Sequence, residues 1–390
     1  MTTDPITTGP SDGSSELAAV YATVEEELAA LRVPDDVVLD AHTHLGLDED
    51  GQSLDADALL RSLDEVGPGA RACAFPFHDP DRSPAYRRPN DRVLAWAAES
   101  DGRIVPYCRL DPGEDPTAEA ERCLAIGARG IKLHPRAQAF GFGNGTAEAI
   151  FATARDASVP ILIHAGRGMP SMAPLAELAL RFPEVTLVLA HTALADQGMF
   201  ASRLRDHPRV LYDTSCFSPF DLIELFARVP AERIVFASDV PYGRPVRGLY
   251  VAMRTALLAG LDADERALLA GGTMAAVLDG RPLPEARPPR LDTVRPVNGT
   301  MLRIAGYLMM GFGAAISGGE RREVSRAAEA IALARGVCRD PDAGSMGPAI
   351  ARIDDILAAV ERSFGDPDTD WMTLVGLLHY AVVIAATERL

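Results

Sequence analysis

Lysine is almost absent from this sequence. Of its 38 basic residues, 37 are arginine, and the single lysine is Lys132. The basic residues are outnumbered by 55 Asp and Glu, which gives a formal net charge of −17. Nucleic-acid binding depends on clustered positive charge, so this balance argues against a nucleic-acid partner.

Cysteine motifs, a signal peptide and a membrane span are also lacking. The five cysteines, at positions 73, 108, 123, 216 and 338, include no CxxC pair, so they indicate neither a disulfide framework nor a cysteine zinc site. Residues 1–15 hold no basic residue and no apolar run, which predicts a disordered tail. The most apolar stretch, residues 301–317, contains Arg303 and three glycines and falls short of a membrane span. We therefore expect a cytoplasmic protein with no membrane partner.

Residues 16–280 alternate between short apolar runs and segments of helical periodicity. An amphipathic helix at 16–31 comes first, and candidate strands separated by helices follow. Eight such units predict an α/β fold of the (β/α)₈ TIM-barrel type rather than an open doubly wound sheet. The candidate strands are residues 37–42, 70–78, 104–109, 130–134, 160–164, 185–191, 210–215 and 233–239.

The last third of the chain has a different character. Residues 281–298 carry five prolines and no periodicity, which predicts a linker. Residues 299–390 contain four helical stretches and predict a separate all-α domain. Its role as a lid, a scaffold or the interface of a homo-oligomer stays open.

Most of the eight histidines lie at the C-terminal ends of the predicted strands, where a (β/α)₈ barrel builds its active site. Because side chains alternate along a strand, His42 and His44 point to the same side and can both bind one ion. Asp239 ends the eighth strand. Histidines with an aspartate suit zinc, and also manganese or iron. The histidines at strand ends are His42, His44, His78, His134, His164 and His191.

The phrases DAHTHLG, GIKLHP, ILIHAG and FASDVPYG occur in this order between residues 37 and 280. Together they resemble the amidohydrolase superfamily, and most of all its amidohydrolase 2 branch of hydrolases and decarboxylases. The resemblance implies that one divalent metal is held by His42, His44, His164 and Asp239. It implies that Asp239 accepts a proton from the attacking water, while His191 orients that water or binds a second metal.

Lys132 occupies the strand-four position at which two-metal members of the superfamily carry a carboxylated lysine bridging both ions. Arginine serves at every other basic position of the chain but cannot form a carbamate, so the retained lysine favours amine chemistry. A cationic substrate-binding or packing role for Lys132 is the alternative. The sequence thus leaves both one-metal and two-metal sites open.

Cationic residues at the predicted strand ends indicate the substrate. His78, Arg109, His134 and Arg167 lie there in an otherwise acidic protein, which predicts a small molecule bearing a carboxylate. We expect a hydrolase of an ester, lactone or amide bond. The alternatives are a metal-dependent decarboxylase, an aldolase-like enzyme with Lys132 as Schiff-base nucleophile, and a non-catalytic scaffold.

Overall fold

The computed structural model of the protein describes residues 12–31, 37–216, 218–289, 298–316, 321–340, 347–363 and 371–388. The chain divides into two compact units. One unit is Arg32–Val294, and the other combines Met1–Leu31 with Arg295–Leu390. In the described part of the chain, no helix is long and apolar enough to cross a membrane.

The unit Arg32–Val294 is a parallel β-barrel. Its strands are β1 (Leu39–Leu47), β2 (Ser53–Leu54), β3 (Arg71–Pro76), β4 (Ile104–Pro106), β5 (Cys108–Arg109), β6 (Ile131–Leu133), β7 (Ile161–Ile163), β8 (Leu187–Leu189), β9 (Val210–Asp213) and β10 (Ile234–Val235). The short β2 pairs antiparallel with the end of β1. Because β4 and β5 are one strand interrupted at Tyr107, the described residues form eight parallel strands.

The ring closes between β1 and β10. Ala41 N–H donates to the Phe236 carbonyl at 2.9 Å, and Asp239 N–H donates to the His42 carbonyl at 2.9 Å. The second of these hydrogen bonds fixes a predicted metal ligand on one strand against a predicted ligand on the other. The predicted (β/α)₈ barrel is confirmed.

The helices of this unit follow the strands in turn. They are α2 (Ala56–Asp64), α3 (Arg87–Ala98), α4 (Pro116–Ala125), α5 (Gly145–Ala157), α6 (Ala173–Arg181), α7 (Gln197–Arg203), α8 (Pro219–Arg228), α9 (Pro245–Leu258), α10 (Ala263–Ala267) and α11 (Thr273–Leu278). Side chains of Asp55, Asn144 and Ser218 cap α2, α5 and α8 by accepting backbone N–H groups. The sequence did not predict α7, α10 and α11, which are too short to show helical periodicity.

Apolar side chains fill the barrel below its C-terminal rim. Layers of strand residues meet in the interior, and Met274, Val277 and Leu278 of α11 pack against them. This packed interior separates the polar side chains at the rim from the opposite end of the barrel. The strand residues of the cluster are Leu39, Ala41, Cys73, Phe75, Val105, Tyr107, Leu162, Val188, Ala190, Leu211, Val235 and Ala237.

Gly271 lies where the chain before α11 presses against the start of β1. A Cβ atom there would lie 2.1 Å from the Val37 carbonyl oxygen and 2.7 Å from the Leu39 nitrogen. Because these are backbone atoms, they cannot move aside cheaply. We expect Gly271→Ala to lower the free energy of unfolding by about 2–3 kcal/mol, measured by urea denaturation.

Gly145→Ala is the matched control for this substitution. A Cβ at Gly145 would meet no heavy atom within 4 Å. The same change in side chain should therefore leave stability unchanged or slightly raised, because alanine favours a helix. Equal losses from both variants would contradict the close contact at Gly271.

The second unit is helical. It contains α1 (Asp12–Leu31), α12 (Gly299–Ile316), α13 (Arg321–Cys338), α14 (Gly347–Ser363) and α15 (Trp371–Thr387). The described side chains of α15 are almost all buried, so this helix forms the centre of the unit. The four helices after residue 298 correspond to the four helical stretches expected in residues 299–390.

The N-terminal helix corrects the predicted domain boundaries. The sequence analysis assigned residues 16–31 to the barrel domain, whereas α1 packs against α14 and α15 and belongs to the helical unit. Glu27 pairs with Arg352 at 2.5 Å, and the Tyr21 ring meets the Tyr380 ring edge-on at 5.5 Å. The helix also begins at Asp12, within the predicted disordered tail. The remainder of that tail, residues 1–11, and residues 290–297 of the predicted linker lie outside the described residues.

Candidate metal centre

Three predicted ligands converge at the rim of the barrel. Among the described residues, His42, His44 and Asp239 each offer a ligand atom, and these atoms all lie within 4.8 Å of one another. Asp239 Oδ1 lies 3.2 Å from His42 Nε2 and 3.1 Å from His44 Nε2. The side-chain alternation along β1 therefore brings both imidazoles to one carboxylate from the neighbouring end of β10.

The surroundings of the two imidazoles favour metal binding. Asp213, buried at the end of β9, accepts the Nδ1 proton of His42 at 2.9 Å, which leaves the Nε2 lone pair of His42 for an ion. Burial lowers the pKa of His42 well below its ordinary value and that of His44 to about 4, so both rings are neutral. His44 Nδ1 is buried without a described hydrogen-bond partner. This donor set fits a divalent metal ion.

Asp239 stays ionised despite its burial. Burial raises the pKa of its carboxyl, but the His44 hydrogen bond and the electrostatic effects of His191, His44 and Lys132 outweigh it and hold the pKa below its usual value. An ionised carboxylate is the form that binds metal.

His164 lies beside this group rather than inside it. Its Nδ1 is 2.9 Å from His191 Nε2, and its ring stacks on His134 with centroids 3.8 Å apart. His191 Nδ1 faces the Ser215 carbonyl at 2.8 Å. Since a carbonyl can only accept, His191 carries its proton on Nδ1 and accepts the His164 Nδ1 proton at Nε2. His164 then keeps its lone pair on Nε2.

The backbone is strained at two of the site residues. His191, Thr192 and Ala193 have φ values of 57°, 55° and 57°, and Asp239 has φ of 60°. Left-handed backbone in residues other than glycine costs about 1–2 kcal/mol per residue. Asp213 helps to stabilise this conformation, because its Oδ1 accepts the His191 N–H at 2.8 Å. Strain of this kind is concentrated at functional sites.

Lys132 is fully buried next to the ligand group. Its Nζ lies 3.3 Å from His42 Nε2 and 4.4 Å from the centroid of the Phe75 ring. Burial, together with the positive charge of Arg109, lowers the pKa of Lys132 to about 7. At neutral pH, Lys132 is therefore an uncharged amine in a substantial fraction of the protein molecules.

Arg109 is the most unusual charged residue of the site. Its side chain is 1% exposed, and Nη1 donates to the Pro76 carbonyl at 3.2 Å. Its Nε and Nη2 are buried without a hydrogen-bond partner among the described residues. The Tyr86 ring lies 5.2 Å from the guanidinium carbon. A buried guanidinium with two unused donors is suited to an anion that enters from outside.

Part of this site, including His44, Arg109 and Asp239, borders one cavity of about 510 Å³ at the rim of the barrel. Predicted substrate-binding residues His78, Arg109 and His134 line it. Arg167 does not, because its side chain is 78% exposed and pairs with Asp221 at 3.4 Å. The full lining is His44, Asp48, Glu49, Asp50, Phe77, His78, Arg109, His134, Arg136, Ala137, His164, His191, Asp239 and Tyr242.

Sequence reasoning missed the acidic edge of this cavity. Asp48, Glu49 and Asp50 begin four residues after His44 of the HxH motif, and that nearness in sequence was the available signal. Tyr242 donates its hydroxyl to Asp48 at 2.5 Å. Phe77, one residue after β3, was missed because an aromatic residue there is equally typical of the core.

The two remaining histidines, His207 and His379, have structural contacts within their own units. His207 contacts the Ala179 carbonyl through Nε2 at 3.1 Å. His379 stacks on Phe312 within the helical unit, with centroids 4.9 Å apart. His207 makes no hydrogen bond with His42, His44 or Asp239.

Residues 39–280 match the family model described as amidohydrolase, Amidohydro_2, which covers more than half of the chain. The protein therefore belongs to this family of metal-dependent enzymes. No curated protein matches the sequence.

Several solved structures are similar to this chain. An IDCase of Metarhizium anisopliae in apo form has a TM-score of 0.49 at 14% identity, over 63% of this chain and 97% of that one. A dihydroxybenzoic acid decarboxylase of a Polaromonas species, with bound manganese and 2-nitroresorcinol, has a TM-score of 0.49 at 16% identity, over 63% and 97%. A probable 2-pyrone-4,6-dicarboxylic acid hydrolase of Acinetobacter baumannii with citric acid has a TM-score of 0.48 at 13% identity, over 62% and 99%.

Proposed function

We propose that this protein is a metal-dependent hydrolase that cleaves an ester, lactone or amide bond of a small molecule bearing a carboxylate. One observation carries the proposal: His44 and Asp239 of the metal-ligating group line the same cavity as the buried Arg109, whose guanidinium has two unused donors. A substrate with a carboxylate near its reacting carbonyl matches this combination.

The ion would be held by His42, His44 and Asp239, with His164 as a further donor. We propose zinc, and these nitrogen and oxygen ligands also suit Mn²⁺ or Fe²⁺. When bound, a divalent ion in such a site polarises a carbonyl group and lowers the pKa of water.

Asp239 is the proposed proton acceptor. Its Oδ1 contacts both imidazoles, whereas its Oδ2 makes no hydrogen bond with a described residue. Since Asp239 lines the cavity, this carboxylate can take a proton from the attacking water and return it to the leaving group. An available proton acceptor suits the proposed hydrolysis, in which the attacking water must lose a proton.

His191 is proposed to act through His164. By accepting the Nδ1 proton of His164, it keeps the Nε2 lone pair of that ring available as a ligand. The Ser215 carbonyl holds His191 in the required tautomer.

Arg109, His134 and His78 are the proposed substrate-binding residues. His134 Nδ1 accepts the Ala137 N–H at 3.2 Å, so the neutral ring carries its proton on Nε2 as a donor. His78 is held by the Tyr86 hydroxyl at 2.5 Å, next to the ring that contacts the Arg109 guanidinium. All three residues are suited to binding an anion.

The test is a panel of paired substrates offered to the zinc-loaded protein. Each carboxylated ester, lactone or amide is matched with its uncharged methyl ester, and products are identified by mass spectrometry. We expect hydrolysis with at least a roughly tenfold preference for the carboxylated member of a pair. Aromatic carboxylic acids in the panel test the decarboxylase alternative. Release of CO₂ without addition of water would contradict hydrolysis.

Lys132 distinguishes a one-metal from a two-metal site. We propose one ion and an unmodified lysine, so elemental analysis should give about one equivalent of metal per chain. Lys132→Met matches the length of the lysine stem in this buried position and should retain that equivalent. Nearly two equivalents, falling in Lys132→Met, would instead establish a carboxylated Lys132 that bridges two ions.

A further inference from the structure

The strand that ends at Arg109 stops pairing with β3 before it reaches that residue. Up to there β3 and β4 pair regularly, and Tyr107 N–H donates to the Ala74 carbonyl at 2.8 Å. The next β3 residue in register is Pro76, which has no N–H to donate. Among the described residues β5 pairs only with β6, so the backbone of Arg109 is unpaired on the β3 side.

Asn90 occupies the place of the missing strand neighbour. It lies on α3 and is 1% exposed. Its Oδ1 accepts the Arg109 backbone N–H at 2.9 Å, and its Nδ2 donates to the Arg109 carbonyl at 3.0 Å. The Pro76 carbonyl, which would otherwise accept that N–H, accepts the Arg109 guanidinium instead.

Glu119 fixes the orientation of the Asn90 amide. This buried residue of α4 accepts from Asn90 Nδ2 at 2.9 Å and is held by two 2.7 Å hydrogen bonds from Arg122. Since a carboxylate can only accept, the NH₂ group of Asn90 must face Glu119. The amide oxygen is then directed at the Arg109 backbone N–H. In the reverse orientation the Asn90 NH₂ group would face that N–H, and neither donor would have an acceptor.

We propose that Asn90 is a positioning residue for Arg109 in substrate binding. A buried guanidinium with two unused donors would gain stability by turning towards any protein acceptor within reach. The Asn90 amide holds the backbone of Arg109 from both its N–H and its carbonyl, which restricts this movement and keeps the two donors available to the cavity. The inference rests on the proposed role of Arg109 as the carboxylate-binding residue.

The experiment measures benzoate binding to the zinc-loaded full-length chain by isothermal titration calorimetry, with benzamide as its uncharged counterpart. In Asn90→Ala we expect the dissociation constant for benzoate to rise by about tenfold, because small displacements of a binding group have effects of this size. Zinc content should stay the same, and benzamide binding should not change. Arg109→Met should lose the preference for benzoate over benzamide.

Asn144→Ala is the matched control. Asn144 caps α5 by accepting the Ala147 N–H at 3.0 Å and makes no hydrogen bond with Arg109. The Asn144→Ala variant also loses a side-chain amide and should bind benzoate as the wild type does. A loss of benzoate affinity as large as that of Asn90→Ala would mean that general destabilisation is responsible, which would overturn the inference.

A second variant covers the case in which Asn90→Ala does not fold. Glu119→Gln keeps the shape of the side chain but no longer enforces the amide orientation, and we expect a loss of benzoate affinity of about threefold. Wild-type affinity in the folded variants would overturn the role of Asn90 while leaving that of Arg109 intact. Failure of the wild type to bind benzoate, or retention of binding in Arg109→Met, would refute the carboxylate-binding role itself and with it the positioning role.

Discussion

The His42→Ala protein is expected to lose its metal and its activity together. His42 supplies the Nε2 atom 3.2 Å from Asp239, and Asp213 holds its ring in the ligating tautomer. Substitutions that only remove a partner of a ligand weaken metal binding by about 10- to 100-fold, so removal of the ligand itself should exceed about 100-fold. Elemental analysis of protein purified without chelator and then dialysed measures the remaining metal.

His207→Ala is the matched control for this result. His207 is also buried, but it contacts the Ala179 carbonyl and no residue of the metal-ligating group. Its removal should leave zinc content unchanged, whatever it costs in thermal stability. Full retention of zinc by His42→Ala would contradict the proposed centre.

Replacement of Arg109 by methionine is expected to change activity and stability in opposite directions. Each hydrogen bond to a charged group is worth about 1.5–3 kcal/mol, so loss of two donors should lower kcat/KM for carboxylated substrates by at least about 100-fold. In the free protein the guanidinium is buried with those donors unused. Its replacement by an apolar side chain of similar length should stabilise the fold by about 1–4 kcal/mol.

Two measurements test the predicted loss of activity and gain of stability in Arg109→Met. Steady-state kinetics should show that an uncharged methyl ester is affected far less than its carboxylated partner. Thermal unfolding should show a midpoint raised by roughly 2–4 °C for each kcal/mol gained. Such a trade between stability and function is expected where a binding site keeps a charge buried for its ligand.

Arg167→Met provides the control for Arg109→Met. Arg167 also follows a barrel strand, yet it is exposed and paired with Asp221. We expect neither kcat/KM nor the unfolding midpoint to change measurably, because exposed ion pairs contribute little. An equal loss of activity in both variants would show that overall charge, and not the buried guanidinium of Arg109, governs substrate binding.

The predictable part of this protein rests on periodicity. Parallel barrel strands are buried on both faces and separated by helices, so the predicted strands 37–42, 160–164 and 233–239 stand out as short apolar runs that end in His or Asp. Alternation along β1 then places His42 and His44 on one side without any knowledge of the tertiary structure. The short helices α7 and α10 gave no such signal, because one or two turns cannot display a period of 3.6 residues.

The unit to which helix α1 belongs could not be predicted from the sequence. An amphipathic helix specifies that one face is buried, but not which partner buries it. Its nearness in sequence to β1 favoured the barrel, whereas its apolar face packs against α14 and α15. Contacts between residues more than 300 positions apart, such as Tyr21 with Tyr380, leave no pattern in a single sequence.

The sequence by itself determined the barrel, the family and the positions of the proposed metal ligands, because these depend on local periodicity and on the order of motifs. Only the tertiary structure decided which arginine is buried, which tautomers His42, His164 and His191 adopt, and which side chain hydrogen-bonds the backbone of Arg109. Arg109 and Arg167 are alike in sequence, since both lie at or just after the C-terminal end of a predicted strand. They differ because Tyr86 and Pro76 enclose the first, while water surrounds the second. The protonation and reactivity of a charged group depend on that surrounding medium, which residues distant in the chain provide.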